Sequence, residues 1–169
     1  PSMIAGTDQL IRILEVARRL LVFTGAGIST PSGIADFRGP QGVWTRRSPV
    51  YYQDFLASEE ARIEYWDGKL EAWESFRDAK PNPAHEAIVR LERAGKVEAV
   101  VTQNIDGLHQ AAGTSPERLV ELHGTNARVE CLGCGRRTRP DPHCERFARE
   151  RRCPRCEECG GLPKFATIS

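Results

Sequence analysis

The 169-residue chain is long enough for one globular domain, or for one domain with a small module attached. Its hydrophobic fraction of 40% and charged fraction of 28% are ordinary for a folded protein that buries a core. A formal net charge of +1 gives no electrostatic basis for binding nucleic acid or an acidic membrane surface. The sequence shows neither an apolar run of transmembrane length nor a secretory signal, so we expect a cytoplasmic protein.

The first predicted elements are a helix and a strand. Thr7 is the predicted N-cap, and an apolar stripe at helical spacing follows it (Leu10, Ile13, Leu14 and Ala17). We therefore expect this helix to pack against the rest of the protein. Residues 20–23 (LLVF) indicate a strand, which runs directly into a glycine-containing loop.

The middle of the chain continues with alternating helices and strands. Residues 40–80 indicate a loop and short helices, whereas Asn82, followed by Pro83, marks the start of a helix that stops at Gly95. A strand at 97–102, a short helix at 108–112 and a strand at 119–122 complete the series. This order predicts parallel strands joined by crossover helices.

Polar residues follow each of the three predicted strands. The segment TGAGIST follows the first strand, TQNID follows the second, and His123 follows the third. Each has an ordinary alternative explanation, namely a tight turn, a helix cap and a structural histidine. Because ligands of an open parallel sheet bind beyond the carboxyl ends of its strands, the recurrence of polar residues there favours one shared site.

All six cysteines lie within residues 131–159. In a reducing compartment, clustered Cys-x-x-Cys pairs more often bind a metal than form disulfides. Cys131 and Cys134 form the first pair, and the second is either Cys153 with Cys156 or Cys156 with Cys159. Spacing alone leaves both choices open.

Five sequence strings, in this order and spacing, closely resemble the sirtuin family of NAD-dependent protein deacylases: GAGIST, SGIADFRG, TQNIDGLH, LHG and the paired Cys-x-x-Cys elements. The resemblance implies an α/β fold, with a Rossmann-like parallel sheet that is incomplete in this chain and a small zinc-ribbon module. Residues 1–125 would form the first part of the NAD-binding domain, with a helical insertion at about 40–80, and residues 126–169 the zinc module. One departure is Ala35, where the family usually has proline.

The resemblance also implies roles for individual residues. His123 matches the catalytic base, and Asn104 belongs to the catalytic set as well as to the nicotinamide pocket. The implied cofactor-binding residues are Gly25, Ala26, Gly27, Ser29, Asp36, Phe37, Arg38, Gln103, Asn104, Ile105 and Asp106. In the implied reaction the acyl oxygen of a modified lysine attacks the ribose of NAD as nicotinamide leaves. His123 then takes a proton from the ribose hydroxyls, and water finally releases lysine and O-acyl-ADP-ribose.

The resemblance to the sirtuin family also indicates which cysteines bind the metal. The resemblance favours Cys131, Cys134, Cys156 and Cys159 as ligands of one structural zinc ion, because CEECGGLPK fits the second half of the family's zinc-binding module. Cys153 would be a near neighbour of this site, and Cys144 a free thiol or a packing residue. Four thiolates leave no open position at which zinc could act in catalysis.

The implied partner is acylated lysine in a protein or peptide, without direct nucleic-acid or membrane contact. Two alternatives remain: an ADP-ribosyltransferase that uses the same NAD pocket, and a non-catalytic zinc-ribbon binding module. The acyl group that the protein prefers, its targets and its oligomeric state are left open by the sequence. Because family members continue beyond the zinc module, the chain resembles a truncated member, and we expect this piece alone to bind NAD weakly.

Overall fold

The computed structural model describes residues 3–35 and 48–168. Within these ranges the helices are α1 (Met3–Val16), α2 (Tyr52–Ala57), α3 (Glu59–Arg77), α4 (Pro83–Arg93), α5 (Leu108–Ala112) and α6 (Asp141–Glu150). The strands are β1 (Leu20–Thr24), β2 (Val97–Thr102), β3 (Leu119–Glu121), β4 (Gly124–Cys131), β5 (Arg137–Thr138) and β6 (Pro163–Thr167). The predicted alternation of helices and strands between residues 80 and 122 is confirmed.

The first sheet is parallel, with the order β1-β2-β3. Val22 lies opposite Val100, and Val101 lies opposite Val120, so the three strands end at the same edge. Ile88 of α4 packs with Val97 and Val100 of β2 in a small apolar cluster beneath this sheet. The predicted parallel sheet, with its strand ends side by side, is therefore confirmed.

Helix α4 begins where the sequence predicts it. The Asn82 side chain accepts a 3.0 Å hydrogen bond from the backbone N–H of Ala84, and His85 Nδ1 accepts a 3.3 Å bond from the backbone N–H of Asn82. This reciprocal cap satisfies backbone donors that the first turn of a helix otherwise leaves free. The Asn82 amide also donates to Ile28 O and to Ser32 Oγ, at 2.7 and 2.9 Å, and so fixes the start of α4 against the loop after β1.

Helix α1 differs from its prediction in two respects. It begins at Met3 rather than after an N-cap at Thr7, because the residues before Thr7 continue the helix and place Thr7 inside it. The expectation that its apolar face packs on the protein is also wrong for the described residues, since Leu10 is 54% and Ile13 51% exposed. Leu21 and Phe23, on one face of β1, are exposed as well.

The second sheet is antiparallel, with the order β5-β4-β6. Its core is aromatic: Trp66 of α3 packs against Phe147 of α6 and Phe165 of β6, with ring centroids 6.1 and 5.5 Å apart. Phe55 of α2 and Tyr65 of α3 belong to the same buried cluster. The helices between residues 52 and 77 thus share a core with the cysteine-bearing elements, while the division at residue 125 stays a prediction.

No helix among residues 3–35 and 48–168 is long and apolar enough to cross a membrane.

Candidate functional site

The loops that follow β1, β2 and β3 meet at one edge of the parallel sheet. The backbone N–H of Gln103 donates to Thr24 O at 3.0 Å, and the backbone N–H of Leu122 donates to Thr102 O at 2.9 Å. These bonds carry the strand pairing one step beyond the sheet, so that the loops leave it side by side. Polar side chains that are distant in sequence therefore come together here.

Ser29 is the centre of this cluster. It is fully buried between two short 3-10 turns, Ala26–Ile28 and Thr30–Ser32. Its hydroxyl donates to Asp106 Oδ2 at 2.7 Å and accepts from the amide of Asn104 at 3.2 Å. The same amide donates to Gly25 O at 3.0 Å. One serine therefore orients the amide and the carboxylate of the TQNID segment, and each donor has an acceptor.

A shallow pocket opens beside these residues. It is lined by Ala26, Ser29, Asn104, Ile105 and Asp106, all of them predicted cofactor residues. The positions where side chains of Gly25 and Gly27 would project are open, with no atom within 4 Å, so a ligand can approach the backbone closely. Gln103 follows the end of β2 beside this pocket. That these residues bind a cofactor remains a prediction.

Two further features of the pocket concern its walls. Phe76, near the end of α3, also lines it, and no sequence pattern singled this residue out. The predicted cofactor residues Asp36, Phe37 and Arg38 lie outside the described residues. The described part of the pocket is accordingly formed by the glycine loop, by the segment after β2 and by α3.

His123 stands at the adjoining strand end, two residues after β3 and directly before β4. Its Nδ1 lies 2.9 Å from Gln103 O. A carbonyl oxygen can only accept a hydrogen bond, so in the neutral ring Nδ1 carries the proton and Nε2 presents a lone pair. The residue is exposed, and the structure thus holds an accessible imidazole in the tautomer that a general base requires.

A buried polar network supports the pocket from behind. The Thr24 hydroxyl donates to the Thr102 hydroxyl at 2.8 Å and lies 2.8 Å from His109 Nε2. Thr102 Oγ1 also accepts a 3.0 Å bond from the backbone N–H of Asn104. The imidazole of His85 packs edge-on against that of His109, with ring centroids 5.0 Å apart. Burial, with a smaller contribution from His85, lowers the pKa of His109 to about 4 although Asp106 opposes the shift, so this histidine is neutral at physiological pH.

Sequence reasoning missed this network, since it gave no role to His109 and named Thr24 and Thr102 only as the first residues of the polar segments TGAGIST and TQNID. The available signal was the presence of a threonine at the last position of two neighbouring parallel strands. Residues at paired positions on one face lie side by side, so two such hydroxyls can hydrogen-bond to each other, as the register Thr24 opposite Thr102 allows.

The second candidate site is a cluster of four cysteines, and its ligand atoms all lie within 4.8 Å of one another (Cys131, Cys134, Cys156 and Cys159). The Cys131 and Cys159 sulfurs are 3.5 Å apart, and those of Cys134 and Cys156 are 3.8 Å apart. Cys153 does not join them, because its thiol is directed to Pro154 O at 3.5 Å. Cys144 is fully buried in the aromatic core.

The surroundings of this cluster fit a metal ion bound by thiolates. Backbone N–H groups of Gly133 and Gly161 point at the sulfurs of Cys131 and Cys159, each at 3.4 Å. A side chain at Gly161 would begin 3.0 Å from the first of these sulfurs and 3.1 Å from the second, so only glycine fits this turn without displacement. Hydrogen bonding, first from the backbone N–H of Cys134, lowers the pKa of Cys131 to about 7.

Comparison with known proteins agrees with this geometry. Residues 25–168 match the family model described as the Sir2 family. An NAD-dependent protein deacetylase of Rhodopseudomonas palustris is 43% identical over 169 residues, which are 100% of this chain and 67% of that protein. NAD-dependent protein deacetylase 1 of Bradyrhizobium diazoefficiens is 45% identical over 165 residues, covering 98% of this chain and 65% of that protein.

Among solved structures, a complex of Sir2 with a p53 peptide and NAD+ superimposes with a TM-score of 0.82 at 33% identity. The match covers 96% of this chain and 63% of that one. The chain thus spans about two thirds of the length of the relatives it matches.

Proposed function

Because the chain belongs to the Sir2 family, we propose that it forms much of the catalytic centre of an NAD-dependent protein-lysine deacylase. The reaction would transfer the acyl group of a modified lysine to ADP-ribose and release nicotinamide. The single observation that carries this proposal is the meeting of Ser29, Asn104 and Asp106 with an accessible His123 at one sheet edge. The relatives' names, which specify NAD and protein deacetylation, point to the same chemistry.

On the NAD side, the chain would use the pocket beside Ser29. Glycine positions without neighbouring atoms let the backbone approach a phosphate or a ribose, where N–H groups can donate hydrogen bonds. The nicotinamide carboxamide has N–H donors, and the Asp106 carboxylate offers acceptor oxygens for them. Since Asp106 Oδ2 already accepts from Ser29, and Oδ1 from the backbone N–H of Leu108, the carboxylate is held in place before a ligand arrives.

On the lysine side, His123 would act as the general base. With its proton held on Nδ1 by Gln103 O, its Nε2 is free to take a proton from a ribose hydroxyl. The carbonyl also restricts rotation of the ring, so the base is oriented before the substrate binds. Asn104, one residue beyond Gln103, would link the base to the cofactor pocket.

The four-cysteine cluster would hold one structural zinc ion through Cys131, Cys134, Cys156 and Cys159. These sulfurs occupy all four positions of a tetrahedral ion, so the metal would stabilise the module rather than act on substrate. The zinc module would reach the active site through β4, which begins one residue after His123.

The decisive experiment incubates the full-length protein with NAD and lysine peptides that carry acetyl, lipoyl or long-chain acyl groups. Mass spectrometry should detect O-acyl-ADP-ribose, and His123→Ala should abolish it. His143→Ala is the matched control, because this histidine bonds to Thr138 within the zinc module and should be dispensable. If NAD label ends on protein instead, ADP-ribosyl transfer replaces the proposal; if nicotinamide is never released, a non-catalytic binding module does.

A further inference from the structure

Lys69, on helix α3, has an unusual set of partners. Its Nζ donates to Asn126 Oδ1 at 3.0 Å and to Thr167 Oγ1 at 3.3 Å, and it lies 5.1 Å from the centroid of the Phe165 ring. Both hydrogen-bond acceptors are neutral. Burial lowers the pKa of Lys69 to about 7, and the nearby ammonium of Lys164 adds to this shift. An ammonium is costly to bury without a carboxylate, so its presence calls for an explanation.

Lys69 is one of two residues of α3 that align this helix with β6 through hydrogen bonds. Tyr65, one helical turn before Lys69, accepts a 3.2 Å hydrogen bond on its hydroxyl from the backbone N–H of Phe165. Four residues of helix and two residues of strand both advance by about 6–7 Å. The pair Tyr65 and Lys69 therefore matches the pair Phe165 and Thr167, and the two contacts together fix how far β6 slides along α3.

Strand β6 is in turn bonded to the residues around His123. Thr167 lies opposite Gly124, and the backbone N–H of Ile168 donates to His123 O at 3.1 Å. Asn126, the other acceptor of Lys69, donates its backbone N–H to Ile105 O at 2.8 Å. The two acceptors thus lie on β4 and β6, and both strands connect directly to His123 or to the wall of the cofactor pocket.

We propose that Lys69 is a positioning residue for His123, acting through Asn126 and Thr167. The inference rests on the proposed deacylase function. A single ammonium reaches both strands at once and donates to a side chain on each, which an apolar residue of the same length cannot do. Lys69 thereby connects helix α3 to the backbone segment that carries His123.

The order of the reaction makes this role measurable. Nicotinamide leaves NAD when the acyl oxygen attacks, whereas the base is needed afterwards, for the ribose hydroxyl. A displaced His123 should therefore impair formation of O-acyl-ADP-ribose and leave the first step intact. The first step has its own assay, the exchange of labelled nicotinamide into NAD in the presence of acyl-lysine peptide. A general loss of structure would lower both rates together.

The test compares Lys69→Met with Lys164→Met in the complete protein. Lys164 is also buried in this module, but its Nζ donates to Phe165 O and Thr167 O of its own strand, and it lies 5.7 Å from the centroid of the Tyr65 ring. In Lys69→Met we expect nicotinamide exchange within about twofold of the parent protein and product formation lower by about tenfold, a part of what a general base contributes. In Lys164→Met the ratio of the two rates should equal that of the parent protein.

A second variant and a second readout complete the design. Thr167→Val removes one acceptor of Lys69 together with a side-chain hydrogen bond to Tyr65, and it should shift the ratio in the same direction. The ring Nδ1–H proton of His123, observed by NMR, should exchange faster with solvent in Lys69→Met and be unchanged in Lys164→Met. Equal losses of exchange and product, or an unchanged ratio and ring proton, would overturn the inference. Absence of nicotinamide exchange in the parent protein would instead refute the proposed function, while the ring proton would still decide the role of Lys69.

Discussion

The Ser29 hydroxyl donates a 2.7 Å hydrogen bond to the carboxylate of Asp106, although the two residues are 77 positions apart in the chain. Ser29 belongs to the loop after β1, and Asp106 to the loop after β2. The parallel pairing of these strands brings both loops to one edge, and the amide of Asn104 completes the contact from the other side of Ser29. The proposed cofactor pocket thus depends on a tertiary contact between two loops that neither loop could order alone.

Ser29→Ala should weaken NAD binding without unfolding the protein. The substitution removes one hydrogen bond to a carboxylate, and such a bond contributes about 1.5–3 kcal/mol. We therefore expect the KM for NAD to rise by about tenfold or more, since 1.4 kcal/mol corresponds to a factor of about ten. Thr30→Ala is the control: this hydroxyl in the same loop donates to Gly27 O nearby. Equal KM values for the two variants would contradict the role given to Ser29.

The cysteine assignment predicts a difference between neighbouring thiols. Cys159→Ser should reduce the zinc content of the purified protein well below one ion per chain and lower its melting temperature, because structural zinc contributes directly to folding. Cys153→Ser should keep the full zinc content, since the thiol of Cys153 faces Pro154 O. Elemental analysis of the two variants decides the matter. Retention of zinc by Cys159→Ser and its loss from Cys153→Ser would reverse the choice of the second pair.

Much of the parallel sheet and of its site was predictable because the evidence is local in sequence. Short apolar runs specify β1 and β2, and polar residues directly after them must lie at the carboxyl edge once the strands are parallel. Helix α4 was predictable for a similar reason, since Asn82, Pro83 and His85 act within one turn. The choice between the two cysteine pairs needed the resemblance to the sirtuin family, because both pairs have the same Cys-x-x-Cys spacing.

The contacts that were not predictable join distant segments through side chains. Nothing near Lys69 indicates that its ammonium reaches Asn126 and Thr167, 57 and 98 residues further along the chain. The prediction for α1 was wrong for a different reason. A threonine before an apolar stripe is a plausible cap, but helix formation in the preceding residues outweighs that preference, which is worth only about 1 kcal/mol.

Gly124→Ala should be strongly destabilising. Gly124 has φ of +74°, and an added Cβ would lie 2.1 Å from the backbone oxygen of Ala166 on the paired strand. We expect the β4–β6 pairing beside His123 to open and product formation to be lost. Gly95→Ala is a matched control with φ of +72° and open space around the added atom, so it should show only the backbone strain of about 1–2 kcal/mol. Chemical denaturation of both variants measures the difference, and similar free energies of unfolding would show that β6 yields to the clash.

His109 makes a prediction about acid stability. Its pKa is lowered from the ordinary value of 6.5 to about 4 in the folded protein. Burial is the main cause and the neighbouring His85 a smaller one, although Asp106 opposes the shift. Between these values the unfolded chain binds a proton that the folded protein does not. Above pH 6.5 the protonation of His109 therefore does not lower the free energy of unfolding. As the pH falls from 6.5 toward 4, this free energy decreases, by about 3 kcal/mol at most for a shift of this size.

His109→Gln removes this titration and should flatten the decline. The measurement is the free energy of unfolding by urea, at a series of pH values from 8 to 4, for the parent protein and the variant. Zinc release and carboxyl protonation at acid pH affect both proteins alike, so the difference between the two curves isolates the imidazole. That difference should be constant above pH 6.5 and should shrink steadily below it, because only the parent protein has a histidine that its unfolded state protonates at this position. Parallel curves over the whole range would mean that His109 titrates in the folded protein as it does in the unfolded chain.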